Sequence, residues 1–83
     1  MLLFFHLNEC GDVTRDFDGR EMANIDAARD AAIIDARAIM CDQLSKGNLC
    51  LACHIDIASS EGDRLSKVQF CDAITLNGTH HLY

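Results

Sequence analysis

From Ile25 to Ser45 the chain runs without glycine or proline and is rich in alanine, and no other stretch limits its fold as much. Alanine is the strongest helix former because it loses no side-chain entropy, while glycine and proline are the residues that end helices. Asn24 is a favourable N-cap, Asp26 suits the positive end of the helix dipole, Lys46 suits the negative end, and Gly47 supplies the stop. At about 100° per residue, Ile25, Ala28, Ala32, Ala36, Ile39 and Met40 share one face, with Ile33 at its margin. A helix with one such face has to bury it against a second layer.

The flanking sequence supplies strands for that layer. Residues 2–7 are aromatic and branched, residues 8–12 have loop chemistry, and residues 13–17 alternate before an Asp18-Gly19 turn. This reads as a hairpin with a five-residue loop. Residues 49–58 alternate with period two, which puts Leu49, Leu51, Cys53, Ile55 and Ile57 on one side and Cys50, Ala52, His54 and Asp56 on the other. Residues 59–63 form a turn, and residues 65–70 return as a strand. The expected fold is α+β, in the order ββαββ. Two β-hairpins flank one long helix, and a four-stranded antiparallel sheet carries the helix on one face. The domain covers residues 1–74 and residues 75–83 form a C-terminal tail. Strand order is left open by the sequence.

A chain of 83 residues makes one domain. At this size about 60–65% of the unfolded surface is buried, so nearly every apolar side chain is needed for the core and an enclosed cleft is not expected. The net charge of −6, from 13 acidic and 7 basic residues, comes without any Lys or Arg run. Nucleic acid and anionic membranes are therefore poor partners, since both are held by clustered basic side chains. The opening Met1-Leu2-Leu3-Phe4-Phe5 lacks a basic flank and a small-residue cleavage site, so it is not read as a secretory signal. No apolar run approaches the ~20 residues of a membrane span. A cytoplasmic location is expected, where the five cysteines would be thiols.

Four segments in order carry a resemblance: Leu3-Phe4-Phe5-His6-Leu7, Asp18-Gly19-Arg20-Glu21, Asp26-Ala27-Ala28-Arg29-Asp30-Ala31 and Val68-Gln69-Phe70-Cys71-Asp72-Ala73-Ile74. Together they resemble the DUF6894 family of short proteins, mostly from alphaproteobacteria, over roughly residues 2–74. The resemblance implies the hairpin–helix–hairpin order and a bacterial cytoplasmic origin, and it implies no activity. Cys10, Cys41, Cys50 and Cys53 depart from the family pattern, which argues against a family-wide role for them.

Cys50-Leu51-Ala52-Cys53-His54 has the form of a c-type haem attachment sequence. Haem attachment follows export, and mid-strand thiols at i and i+3 point to opposite faces. The same placement disfavours a thioredoxin-like pair, whose motif opens a helix. Cys53 is expected in the core and no cofactor is assigned. If the first and third strands are neighbours, His6, Cys50, His54 and Asp56 converge with ligand types that zinc accepts. His80-His81 is a further chelating pair near the terminus. Ser59, Ser60, Glu61 and Asp63 are accounted for by turn chemistry, and no catalytic residue is assigned.

Two apolar surfaces are candidates for an interface. Ala27, Ala31, Ile34 and Ala38 make a small-residue stripe away from the core face of the helix. Leu2, Phe4, Cys50, Ala52 and Leu65 would lie uncovered on the reverse of the sheet. The first functional expectation is a small non-enzymatic interaction or regulatory module, a homo-oligomer (a dimer) that engages an unknown protein. The alternative is a metal- or thiol-dependent protein using His6, His54 and Cys50 or Cys53.

Overall fold

The computed structural model describes residues 1–78. The long helix, α1, spans Ile25–Ser45. Its start is fixed by Asn24, whose side chain accepts the Ala27 N–H at 2.8 Å. It ends where the N–H groups of Lys46, Gly47 and Asn48 turn back onto the Gln43 and Leu44 carbonyls, with Gly47 at φ +79°. Helix caps of this kind satisfy backbone groups that the helix leaves without partners.

Five strands form the sheet: β1 (Leu2–Glu9), β2 (Asp12–Thr14), β3 (Arg20–Glu21), β4 (His54–Ala58) and β5 (Arg64–Gln69). All pairings are antiparallel in the order β2-β1-β4-β5, and β3 adds to the first residues of β1. The α+β architecture with one helix packed on an antiparallel sheet is as expected from sequence, but the sheet has five strands where four were expected, because the short β3 adds a third strand before the helix. Three further details correct that expectation.

The first hairpin has a two-residue turn, not a five-residue loop, because Glu9 pairs with Asp12 and leaves only Cys10 and Gly11 at the tip. Their φ values of 47° and 94° are those of a type I′ turn, whose twist matches the flanking strands. The second strand stops at Thr14, because the chain then folds against β1 through Asp16. The Asp16 carboxylate accepts the Phe5 N–H at 3.1 Å, and the Asp16 N–H donates to His6 Nδ1 at 3.0 Å. These bonds stand in for a ladder, and the chain resumes pairing as β3. Gly19 makes this return possible, since at φ +74° a Cβ there would sit 3.0 Å from Leu2 Cδ1. Phe17, expected inside a strand, is left 83% exposed.

The third correction matters most for function. The alternating run 49–58 is a strand only from His54 onward, and residues 51–52 bend. Gln43 Oε1 of α1 accepts the Cys50 N–H at 3.2 Å and ties this segment to the end of the helix. The ladder begins only at Cys53, whose carbonyl accepts the Phe70 N–H at 2.9 Å in register with the His54–Gln69 pair. Leu49, Cys50 and Leu51 pack against the end of the core, so apolar burial and not strand pairing explains their spacing.

The core lies between α1 and the inner sheet face. Leu3, Phe5, Ile55, Ile57 and Val68 meet Ala28, Ala32, Ala36 and Met40, and Cys53, Phe70 and Ala73 close one end. The alanines let the helix backbone approach the sheet closely, so the small-residue face is an adaptation to packing. At the outer edge, Arg29 of α1 donates to Ser66 Oγ and, at 3.3 Å, to the Lys67 carbonyl of β5. No helix among the described residues is long and apolar enough to cross a membrane.

Candidate functional site

The hairpin tip and the bend before β4 meet at one end of the sheet. Strand β1 runs between them, pairing with β2 on one hand and with β4 on the other. The tip thereby carries Cys10 to Cys50, with the two Sγ atoms in contact at 3.0 Å. Cys53 completes the group, and the three sulfurs all lie within 4.8 Å of one another. Cys10 is exposed, Cys50 is half-buried and Cys53 is buried.

Placing Cys50 and Cys53 on opposite strand faces is thus overturned. The bend at residues 51–52 turns both thiols toward the same point. The separation of i and i+3 side chains that the strand reading gave to this motif does not apply to it. Cys10 is the residue that sequence reasoning did not place in a site. The signal available for it was weak: a cysteine beside a glycine in a stretch with turn composition.

The backbone at Cys10 is unusual. A φ of 47° lies in the left-handed region, which costs an ordinary L-residue about 1–2 kcal/mol. Asparagine or glycine suits that position better. Strain of this kind concentrates where a side chain has a task that the local backbone does not favour.

The three thiols are electrostatically distinct. Cys50 is held below the ordinary thiol range because the Cys10 thiol donates to it, as does that of Cys53, and the Ala52 and Cys53 N–H groups assist. Cys10 is raised by the same hydrogen bond with Cys50 and by the nearby charge of Cys50, with smaller help from Glu9. Cys53 is pushed up to about 12, by burial first and by the Cys50 thiol next. One thiol of the group therefore carries its negative charge most readily, while the other two keep their protons until a cation or a reaction removes them.

The residues singled out from sequence for metal binding are distributed differently. Because β1 and β4 are neighbours, His6 pairs with Asp56 and Asn8 with His54 on the outer sheet face. His54 Nε2 lies 3.5 Å from Asp56 Oδ2, which also accepts from Asn8 Nδ2 at 3.2 Å. Arg64 approaches the other Asp56 oxygen to 3.7 Å. His6 Nδ1 is engaged by the Asp16 N–H. Cys50 is not on this strand and joins Cys10 and Cys53 instead. His80 and His81 lie outside the described residues.

The reverse sheet face is less apolar than the alternation suggested. Its centre carries His6, Asp56 and Lys67 in adjacent strands, and Ala52, though exposed, lies on the bend. Leu2 and Leu65 are 44% and 45% exposed, and Phe4 is half-buried. On the helix, Ala27 and Ala31 are half-buried, Ala38 is exposed, and Ile34 stands out at 65%.

Comparison with known proteins adds a family and nothing further. Residues 2–71 match a protein-family model described as "Domain of unknown function (DUF6894)". No curated protein and no solved structure matches the chain.

Proposed function

For this chain, which belongs to the DUF6894 family, we propose a non-enzymatic role in binding a soft metal ion, zinc(II) or copper(I), through Cys10, Cys50 and Cys53. The observation that carries this reading is the convergence of three sulfurs within 4.8 Å from two distant parts of the sequence. Zn–S bonds of about 2.3 Å set tetrahedral sulfurs roughly 3.8 Å apart. The spacing here runs from 3.0 Å for Cys10 and Cys50 up to 4.8 Å, so movements below 1 Å or so would complete the ligand geometry. Thiolates select soft and borderline cations over magnesium or calcium. Glu9 beside Cys10 and the net charge of −6 favour a cation at this end of the molecule. Three protein ligands with an exposed Cys10 leave a further coordination position accessible. The reading fits the reducing cytoplasm of a bacterium, where thiols stay available.

The test is metal titration of reduced protein under anaerobic conditions, with cobalt(II) as a spectroscopic substitute and a chromophoric chelator as competitor. Wild type should take up one equivalent, and sulfur-to-cobalt charge-transfer bands should appear. Cys10→Ser and Cys50→Ser should each weaken binding at least ~10-fold. Uptake by the two variants equal to that of wild type would overturn the proposal.

A second reading, a homo-oligomeric interaction module, is favoured by the exposure of Leu2 and Phe17 beside half-buried Phe4 at the opposite end of the sheet. Exposed aromatic and aliphatic side chains gathered at one end suit contact with a second copy.

A further inference from the structure

We propose that Cys10 and Cys50 form a reversible disulfide within one chain, and that this bond disables the metal site by consuming two of its three ligands. The first half stands on the placement of the sulfurs alone; the second rests on the metal reading above.

The two sulfurs already touch at 3.0 Å, whereas a disulfide is about 2.05 Å long. Closing that gap displaces a two-residue turn and the segment between α1 and β4, and leaves the sheet and the helix in place. Accessibility separates the three thiols. Cys10 is exposed and Cys50 half-buried, so a small molecule can reach both, while Cys53 is only 1% exposed. Cys41 and Cys71 are exposed but lie outside the cluster. The geometry thus selects one pair among the five cysteines.

The co-reactant is a small-molecule disulfide such as glutathione disulfide. The Cys50 thiolate attacks one of its sulfurs; the external S–S bond breaks, a mixed disulfide forms at Cys50, and one glutathione thiolate leaves and takes up the proton that Cys50 gave. Cys10 then attacks the Cys50 sulfur and expels the second glutathione, which receives the Cys10 proton. Two protein thiols are oxidised and one glutathione disulfide is reduced to two glutathione molecules. An excess of reduced thiol reverses both steps.

The experiment incubates reduced, zinc-loaded protein with glutathione disulfide and follows released zinc, intact mass and the disulfide map of peptides. Expected are a monomeric product lighter by about 2 Da, a Cys10–Cys50 linkage, loss of the bound zinc and full recovery with dithiothreitol. A Cys53→Ala variant should form the same disulfide while binding zinc more weakly; if it fails to fold, the wild-type peptide map decides the linkage. Should zinc bind while Cys10 and Cys50 remain reduced or capped singly by glutathione, the disulfide proposal falls and the metal reading stands. Should the Cys10–Cys50 disulfide form in a protein that binds no zinc, the metal reading falls and the disulfide stands. A linkage through Cys53 or between chains overturns the proposal.

Discussion

At the scale of single residues, Cys10 poses the sharpest test. It occupies the first position of a type I′ turn, where asparagine followed by glycine is the preferred pair. Cys10→Asn should therefore stabilise the metal-free protein by about 1 kcal/mol while removing one ligand. Urea midpoints with an unchanged slope, measured beside cobalt titration, check both halves. A variant less stable than wild type would mean that the thiol contributes more to the fold than its left-handed backbone costs. The case also shows why this site was hard to read in the sequence. Cys50, Cys53 and His54 announce themselves by their spacing, but their spacing suggested the wrong backbone. Cys10 lies 40 positions from Cys50 and becomes a neighbour only once the first hairpin turns at residues 10 and 11. Nothing local to either cysteine records that meeting.

At the scale of elements, the helix was legible and the strand limits were not. The Ile25–Ser45 helix has a favourable cap, strong propensity and a 3.6-residue pattern that agree with one another. Its predicted core face, with Ala28, Ala32, Ala36 and Met40 buried, is the one that packs. The strands had only alternation to mark them, and residues 49–53 alternate for another reason, the burial of Leu49 and Leu51 against the end of the core. Likewise, residues 13–17 look like a strand, but Asp16 turns inward and replaces ladder bonds with its carboxylate. That substitution has a pH signature. Burial works against the Asp16 charge, yet the N–H groups of Gly19, Phe5 and Asp18, with His6, outweigh it and hold the carboxyl below its ordinary value of 3.8. A depressed folded-state pKa contributes stability above the unfolded value and loses it as the pH falls through the folded one. The contribution should be complete at pH 5 to 7 or so and fade below about pH 4. Asp16→Ala should cost about 1–2 kcal/mol at neutral pH and flatten the acid limb of stability in urea titrations. An acid limb identical to that of wild type would locate the sensitivity elsewhere.

At the scale of the whole molecule, a chain of 83 residues has a small margin, typically about 5–15 kcal/mol for a folded domain. Closing a 40-residue separation with the Cys10–Cys50 bond restricts the unfolded chain by about 4 kcal/mol in the loop-entropy description. The oxidised, metal-free protein should therefore melt well above the reduced, metal-free one, and calorimetry of the two forms reads the difference directly. If the second functional reading holds, sedimentation at micromolar concentration should give a dimer, and Phe17→Ser should return it to the monomer mass. A monomer throughout the concentration range would remove that reading while leaving the thiol site untouched. Only Cys53 belongs to the core; Cys10 lies on an exposed hairpin tip and Cys50 on a connecting segment at the core's edge. A lineage carrying this scaffold can thus gain or discard the chemistry through two codons at the periphery, and inherit the fold unchanged.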